Sequence, residues 1–395
     1  MYLLGEGILR IALAILLLSL VAPVAGATTV TVGPSGQYPS PCVAFQHLAD
    51  GDIVQVDANH GIPYNEGNCQ IVNSNLKIIG INGRPILDAT GIKVERGIWE
   101  VIGHDDVIDN FEFRNANKFT NLNTSYNAAG IRIRSGQKGP DGGDITVRHC
   151  YIHDNGDGVL VDNAGPGMGQ WFSSAPEILF EYDDLYKNGD ESGPSHNIYV
   201  GWGGNVTFTF RYSKSRDAYL GHDIKTRARY NNILYNQITD NVGATSYLLN
   251  FPVGGTSYVV GNLLYKVAVT NPVANVDLML YRDVGDTHLP GAAYGPPNED
   301  LHFLNNVVID NSPSRSDAFV AVSCPMLSSA SCTAPVAGPR LTTKAEIKGN
   351  LFVGRPAHVT NQPGADAQFN VVLPYSAKDA VWANQALAAL WNGEK

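Results

Sequence analysis

Short apolar segments recur along most of the chain, and within each of them polar and apolar residues alternate. One series of segments reads GIRIRS (130–135), GVLVDN (158–163), NIYVGW (197–202), DIKTRA (223–228), LLNFPV (248–253) and DLMLYR (277–282). A second series lies between them and includes ITVRHCYI, EILFEYDDL and YNNILYNQI. Alternation with a period of two residues predicts short β-strands.

The strand pattern repeats at a nearly constant interval. Ile198 is followed 26 residues later by Ile224, and Leu249 comes 25 residues after that. A period of ~25 residues that holds two or three short strands predicts stacked coils, each paired to the next at ~4.8 Å. We therefore predict an all-β fold, a right-handed parallel β-helix. The rival is a β-propeller, whose four-stranded blades are longer, at ~40–45 residues.

Asparagine recurs at one place in the second series, where a corner between strands is expected. This residue type tolerates a left-handed backbone and can hydrogen-bond locally. The repeated residues are Asn236, Asn262, Asn306 and Asn350.

Two segments have helical rather than strand periodicity, and both lie near the ends of the repeats. Residues 41–49 predict a short helix that caps the N-terminal end, and residues 377–391 predict a helix across the far end. Open ends of a β-stack need such covers. The five cysteines suggest the bridges Cys42–Cys69 and Cys324–Cys332, with Cys150 as a buried thiol.

Residues 1–27 are typical of a secretory signal peptide, with a basic Arg10, an apolar stretch and small residues at 25–27. We predict that residues 28–395 form a single domain. No later apolar run is long enough to span a bilayer. We expect an exported monomer, periplasmic or extracellular, without stable membrane insertion.

The chain is acidic, with 27 Lys+Arg against 37 Asp+Glu and a net charge of −10, and we expect no nucleic-acid partner. One segment departs from this balance. Six of the 27 cations fall within residues 211–229: Arg211, Lys214, Arg216, Lys225, Arg227 and Arg229. Such a run is either a solvated face or a surface that holds an anion.

Strand alternation decides which of these side chains share a wall. If the apolar residues of the first series point inward, the residues between them point outward and stack from coil to coil. The three predicted outward rows are Arg132, Leu160, Tyr199, Lys225, Asn250 and Met279; Arg134, Asp162, Gly201, Arg227, Pro252 and Tyr281; and Gly130, Gly158, Asn197, Asp223, Leu248 and Asp277.

Cations, amides and aromatic rings on one wall suit an acidic polysaccharide, whose carboxylates pair with Arg or Lys. We predict the substrate-binding residues Arg132, Arg134, Asn197, Arg229, Asn250 and Tyr281. His196 and His222 have the same parity as the inward Ile198 and Ile224. They are therefore core histidines, or catalytic residues if the strand end rotates them into the cleft.

Several stretches resemble a known superfamily. The coil pattern, the segment HLADGDIVQVDA and the segment NGDGVLVDN resemble right-handed β-helix proteins of the pectate-lyase-like superfamily. DIKTRARYNNILYNQI is similar to the β-helix polysaccharide lyases that include chondroitinase B and alginate lyases. In those enzymes a Lys before an Asn-rich turn is the base and an Arg from a neighbouring coil assists. Their Arg-His-Gly segment is replaced in the next coil here by LNFPVGG.

The resemblance and the wall together predict β-elimination on a uronic-acid polymer. Lys225 would be the base, and its deprotonation is favoured by like-charge repulsion from Arg227 and Arg229. The leaving oxygen would be assisted by Tyr199, Arg227 or His196, and His222 is a further catalytic candidate. The C5 proton becomes acidic once the uronate carboxylate is neutralised by an Arg or by a bound Ca²⁺.

Calcium is a separate expectation. Asp162, Asp223 and Asp277 lie near the cationic wall and could hold a Ca²⁺ ion by carboxylate oxygens. The alternative is that they pair with the wall cations.

Three other functions stay open. A polygalacturonase-like hydrolase needs two carboxyls ~6.5–9.5 Å apart, if it inverts configuration. A mannuronan C5-epimerase starts with the same proton abstraction, and GHD (221–223) is similar to the His-Asp half of the Asp-Pro-His-Asp motif of those enzymes. A non-catalytic β-helix could bind glycan without cleaving it.

Overall fold

The computed structural model describes residues 27–116, 128–134, 143–161, 176–190, 195–201, 206–252, 254–268, 278–281, 300–311, 318–322, 345–354, 358–362 and 364–374. Three parallel sheets, A, B and C, run through this part of the chain, and neighbouring strands of each sheet belong to successive coils. From β4 to β30 the chain visits A, B and C in turn. The predicted right-handed parallel β-helix is confirmed.

The strands are numbered in chain order. Sheet A contains β1 (Thr29–Val32), β2 (Ile53–Asp57), β4 (Lys77–Ile81), β7 (Asp106–Asp109), β10 (Ile145–Arg148), β13 (Glu177–Glu181), β16 (Thr207–Arg211), β19 (Tyr230–Leu234), β22 (Thr256–Val260), β25 (Leu301–Leu304) and β28 (Ala345–Lys348). Sheet B contains β5 (Ile86–Asp88), β8 (Glu112–Arg114), β11 (Tyr151–His153), β14 (Asp184–Tyr186), β17 (Lys214–Arg216), β20 (Gln237–Asp240), β23 (Leu263–Lys266), β26 (Val307–Asp310), β29 (Leu351–Gly354) and β31 (Val371–Pro374). Sheet C contains β3 (Cys69–Ile71), β6 (Gly97–Val101), β9 (Ala129–Ile133), β12 (Asp157–Val161), β15 (Ile198–Val200), β18 (Ile224–Thr226), β21 (Leu249–Phe251), β24 (Met279–Tyr281), β27 (Ala318–Val322) and β30 (His358–Thr360).

The predicted period is the length of one coil. Ile198 pairs with Ile224, and Ile224 pairs with Leu249 in the next coil. All three are fully buried in one apolar core enclosed by the sheets. Each fully buried Ile or Leu side chain stabilises the fold by ~1.5–3 kcal/mol relative to its exposed form.

The repeated asparagines form a buried ladder between sheets A and B. The Nδ2 group of Asn262 donates to Oδ1 of Asn306 at 3.0 Å, and Oδ1 of Asn262 accepts the backbone N–H of Asn236 at 2.8 Å. The left-handed backbone expected at these residues falls instead on the residue before, as at Tyr235 (φ 56°) and Asn305 (φ 54°). The ladder satisfies backbone groups that would otherwise be buried without partners.

A short helix, α1 (Pro41–Ala44), lies at the N-terminal end and is shorter than the predicted 41–49 segment. Phe45, which follows it, packs edge-on against Trp99 in the core at 5.0 Å between ring centroids. The predicted disulfide Cys42–Cys69 joins α1 to β3. The helix therefore covers the first coils of the stack.

Cys150 is a free, buried thiol, as predicted. Within the ranges given above, no helix is long and apolar enough to cross a membrane. Other predictions fall on residues outside those ranges: most of the signal peptide (1–26), Cys324, Cys332 and the helix at 377–391.

Candidate active site

The outer face of sheet C carries most of the polar side chains that the sequence predicts to be functional. Backbone pairing places one outward residue of each strand beside its equivalent in the next coil. This central row consists of Glu100, Arg132, Leu160, Tyr199, Lys225, Asn250 and Leu280. The predicted row is confirmed from Arg132 to Asn250, and Leu280 occupies the place predicted for Met279.

A second set of side chains reaches the same face from the start of each coil's segment in sheet C. This corner row consists of Asp157, His196, His222 and Tyr247. The ring of His196 meets the ring of Tyr199 edge-on at 5.0 Å, and Tyr247 packs with Leu280 of the central row. The two rows therefore line one surface.

One hydrogen-bond pattern links the corner row from coil to coil. Oδ1 of Asp157 accepts the backbone N–H of His196 at 2.7 Å, and Nδ1 of His196 accepts the backbone N–H of His222 at 2.9 Å. Nδ1 of His222 accepts the backbone N–H of Tyr247 at 3.3 Å. The two imidazole rings stack at 4.6 Å with 17° between their planes. The rings are thus held in one orientation by the main chain.

Burial decides the protonation of the corner row. It raises the pKa of the Asp157 carboxyl well above its usual range, although the bond from the His196 N–H acts in the opposite direction. Burial, followed by nearby positive groups that include Lys225 and Arg227, holds the pKa values of His196 and His222 well below the usual range. Burial therefore favours the protonated form of Asp157 and the neutral form of both rings.

The buried polar atoms of this face that have no hydrogen-bond partner in the described part of the protein include three: Oδ2 of Asp157, Nε2 of His196 and Oδ1 of Asn250. Buried polar atoms are almost always hydrogen-bonded, because an unpaired one costs ~1–3 kcal/mol. These atoms are candidates for hydrogen bonds to a polar ligand.

Tyr199 lies beside two cations of the neighbouring coil. Nζ of Lys225 and the guanidinium carbon of Arg227 are each 5.4 Å from the centroid of the Tyr199 ring, within the range of cation–π attraction. Arg227 also donates a hydrogen bond through Nη1 to the Tyr199 hydroxyl. Arg227 is 4 % exposed and Lys225 is half-buried. These cations are not a solvated face.

The rest of the cation-rich segment leaves this wall. Arg211 pairs with Glu181 in sheet A, and Arg216 pairs with Asp184 in sheet B. Both are partly exposed ion pairs, which contribute little to stability. The cation-rich segment therefore contributes ion pairs to the surface of sheets A and B, and it contributes Lys225 and Arg227 to the group around Tyr199 on sheet C.

Asn197 and Asp223 are predicted to face outward, and both predictions are wrong. They are fully buried inside the stack, where Nδ2 of Asn197 donates to Oδ1 of Asp223 at 2.8 Å. Ile198 and Ile224 are the first residues of their strands, so Asn197 and Asp223 lie in the bend before the strand. The alternation of a β-strand does not extend into this bend.

The same bend explains why the two histidines face outward, and not inward as their sequence parity predicts. Because Asn197 turns inward beside the inward Ile198, His196 emerges on the outer side with Tyr199. The order along each coil is out, in, in, out. His222 follows His196 through the stacking of their rings.

Tyr281 is predicted to bind substrate, but it points into the core. Backbone pairing sets Leu249 beside Met279 and Phe251 beside Tyr281, and the Tyr281 hydroxyl donates to the carbonyl of Gly255. The predicted strand register differs from the observed one by one residue. The residues of segment 278–281 are all apolar or aromatic, so there is no alternation of polar and apolar residues to identify the inward face.

The other predicted binding residues lie on or beside the wall. Arg132 is in the central row, and Arg134 beside it forms an ion pair with Glu100. Arg229 lies beyond the end of β18, where the bend leads into sheet A. Asn250 is next to Lys225 and is 2 % exposed.

The predicted calcium site is not supported by Asp223. Its carboxyl lies inside the stack, accepts hydrogen bonds from Asn197 and Ser215, and has its pKa raised well above the usual range by burial. A carboxyl that lies inside the stack does not fit a Ca²⁺ ligand on the wall. The other two predicted ligands, Asp162 and Asp277, lie outside the described residues.

Sequence reasoning missed Asp157 and Tyr247. Aligning DGVL (157–160), HNIY (196–199), HDIK (222–225) and YLLN (247–250) puts Asp157, His196, His222 and Tyr247 in one column. This column is visible in the sequence repeat. To identify it as part of the site, one must also know that its side chains lie on the outer face.

No protein-family model matches the chain, and no curated protein sequence matches it. Among solved structures, a crystal structure of GH136 lacto-N-biosidase from Eubacterium ramulus matches with a TM-score of 0.45 and 12 % sequence identity. The match covers 88 % of this chain and 68 % of that one.

Proposed function

We propose that the protein is an exported carbohydrate-active enzyme that cleaves a uronic-acid-containing polysaccharide by β-elimination on the outer face of sheet C. The observation that carries this proposal is the group formed by Tyr199, Lys225 and Arg227 on two successive coils. An acidic polymer suits a wall whose positive charge comes from Lys and Arg. The three unpartnered polar atoms nearby support a ligand rich in hydroxyl and carboxyl groups.

Lys225 is the proposed base. In its neutral form the amine takes the C5 proton of the uronate, the C4–O bond breaks, and a double bond forms between C4 and C5. The carboxylate on C5 stabilises the negative charge that develops when this proton leaves, provided that hydrogen-bond donors or cations contact it. Lys225 lies on a strand whose backbone is paired on both sides, which fixes the face of the sheet from which its side chain extends.

Tyr199 is the proposed proton donor to the leaving oxygen. Its hydroxyl oxygen accepts a hydrogen bond from Arg227, so its own proton remains available for donation. The guanidinium also stabilises the phenolate that forms after transfer. Tyr199 then regains a proton from solvent while Lys225 releases one, and the two groups return to their starting states.

Arg132 is proposed to bind a second carboxylate of the polymer. It lies in the central row three strands from Lys225, which at ~4.8 Å per strand is ~14 Å along the stack. A contact at this distance would engage a different sugar unit from the one that is cleaved. The site would therefore favour a chain over a single sugar.

Glycoside hydrolysis is a second candidate because of one observation. Asp157 is a buried carboxyl on this wall with its pKa raised, which is the state of a general acid. Glu100 lies in the central row two strands away, which is ~10 Å along the stack, and it is also three residues further along its strand than the partner of Asp157. This separation exceeds the ~6.5–9.5 Å expected of two carboxyls that invert configuration. Glu100 is already paired with Arg134, so we place this candidate second.

The deciding experiment is incubation of the purified protein with a panel of uronate polysaccharides, followed by near-UV absorbance. β-Elimination leaves a conjugated C4–C5 double bond, so absorbance should rise together with reducing ends. Reducing ends without absorbance would mean hydrolysis, and C5 inversion by NMR without cleavage would mean epimerisation. Either result, or binding without any reaction, would overturn the proposal.

Variants of Lys225 test the assigned base. Lys225→Ala and Lys225→Arg should each lose at least ~100-fold in kcat, because a guanidinium stays protonated and cannot accept the C5 proton. Arg227→Lys should keep residual turnover with a higher KM, since a point charge replaces a planar donor. Lys214→Ala is the matched control, because Lys214 belongs to the same cation-rich segment but lies on sheet B. Near-normal turnover in Lys225→Arg would refute the role of base.

A further inference from the structure

We propose that His196 and His222 bind the substrate carboxylate as a fixed pair of neutral Nε2–H donors, and that neither ring is a base. The proposal rests on the proposed function for the identity of the ligand. It rests on the corner-row hydrogen bonds for the state of the rings.

The main chain fixes the tautomer of both rings. A backbone N–H can only donate, so the ring nitrogen that receives it must be without a proton. In His196 and in His222 this nitrogen is Nδ1, at 2.9 Å and 3.3 Å from the donor nitrogen. The proton of each neutral ring is therefore on Nε2. Nε2 can donate a hydrogen bond to a ligand, and it has no lone pair to accept a proton.

The surroundings keep the rings neutral. Burial is the main cause that lowers the pKa of both rings, and it is followed by each ring's positive neighbours: His222, Lys225 and Arg227 for His196, and Lys225, Lys266 and Arg227 for His222. On His222 a hydrogen bond with the Gly221 backbone acts in the opposite direction but does not outweigh them. Asp157, the acidic residue of the corner row, is itself buried with a raised pKa and does not oppose them. A second proton on Nδ1 would also break the bond to the backbone N–H.

The arrangement of the pair suits a carboxylate. The rings stack nearly parallel at 4.6 Å, and both are attached through Nδ1, so their Nε2 atoms lie on the same side. Nε2 of His196 is buried without a hydrogen-bond partner among the described residues, as expected for a donor that awaits an acceptor. Two donors from successive coils can each meet one oxygen of a carboxylate. Two neutral donors add stabilisation without requiring protonation of the site.

The corner row itself supplies the test variants. Asp157 shows that a side chain with its oxygen at the δ position accepts the same backbone N–H as Nδ1 of histidine does. His196→Asn should therefore keep the bond to the His222 backbone and lose the Nε2 donor. His196→Gln places an NH₂ group near the position of Nε2 and should restore the donor. The same pair of substitutions applies to His222.

The first measurement is independent of substrate. In protein labelled with ¹⁵N-histidine, NMR should show both rings as neutral Nε2–H tautomers from pH 8 down to at least pH 6. A ring with its proton on Nδ1, or one that titrates near pH 6.5, would overturn the proposal and leave the lyase assignment untouched.

The second measurement uses whichever uronate polymer the enzyme cleaves. His196→Asn should lower kcat/KM by ~10- to 100-fold, the loss expected for one hydrogen bond to a charged acceptor. His196→Gln should recover most of it, with an unchanged pH profile. If Asn and Gln variants are equally impaired while both remain folded, the donor role is wrong. If no uronate polymer is cleaved, the proposed function fails and the NMR result still decides the ring state.

Discussion

Asn197 and Asn250 give a sharp test of how the structure divides stability from binding. Both are buried, and both are predicted from sequence to bind substrate. In the structure the side chain of Asn197 makes five hydrogen bonds inside the stack, two from Asn188 and one each to Ser215, Arg216 and Asp223. Asn250 lies on the wall, and its Oδ1 has no partner among the described residues.

The magnitudes follow from these contacts. At ~1 kcal/mol net for each hydrogen bond, the Asn197 side chain contributes up to ~5 kcal/mol. Since some partners will find other partners, we expect Asn197→Ala to lower the free energy of unfolding by ~4 kcal/mol. Asn250→Ala removes an amide with an unpaired oxygen and should change stability by less than ~1 kcal/mol. Its kcat/KM should fall ~10-fold, because a polar contact to the ligand is lost.

Urea unfolding followed by circular dichroism measures the first quantity, and initial rates at 10 °C, where both variants should be folded, measure the second. Each variant is the control for the other, since the substitution is the same and both sites are buried. If Asn250→Ala were as unstable as Asn197→Ala with normal kcat/KM, Asn250 would be a structural residue. The ligand-binding interpretation of the central row would then fail at this position.

Two further predictions concern a buried acid and the metal. Burial raises the pKa of Asp106 to about 7, so the stability that its protonated form contributes is present below about pH 4 and is lost as the pH rises through 7. Asp106→Asn should therefore raise the free energy of unfolding by ~2 kcal/mol at pH 8 and by much less at pH 4 in urea titrations; equal effects at both pH values would contradict this. Because Asp223 does not fit a calcium ligand, we expect exhaustive chelation to leave turnover unchanged, and restoration of lost activity by Ca²⁺ alone would refute that expectation.

The fold could be predicted because its information is local and repeated. A spacing of 25 or 26 residues between inward-facing residues such as Ile198, Ile224 and Leu249 is enough to set the coils in register. Within the strands, alternation also placed Tyr199 and Lys225 correctly on the outer face. Alternation therefore identifies the outer face of a regular strand where polar and apolar residues alternate.

The site could be predicted only in part, because half of it lies outside regular strands. At the bend before β15 and β18, two consecutive residues turn inward, and this reversal depends on the backbone path between sheets B and C. The segment SHNIY (195–199) has no local sequence pattern that indicates this reversal. The prediction for segment 278–281 was wrong for a different reason. Its residues are all apolar or aromatic, so either strand register would bury apolar side chains, and the sequence does not show that Tyr281 faces inward.

The bend also explains how one short segment can serve both stability and recognition. In each of two coils, adjacent residues separate, with Asn197 and Asp223 inward and His196 and His222 outward. The inward pair hydrogen-bonds inside the stack, where Nδ2 of Asn197 donates to Oδ1 of Asp223. In the outward pair, Nδ1 of each ring accepts a main-chain N–H, and Nε2 is the proposed donor to the ligand. Because a histidine ring has two nitrogens on opposite sides, it can close the coil-to-coil hydrogen bond and still present a donor. An asparagine or aspartate in the corner row could do the first through Oδ1 but would place its second polar atom differently, which is why the histidines are where recognition is expected.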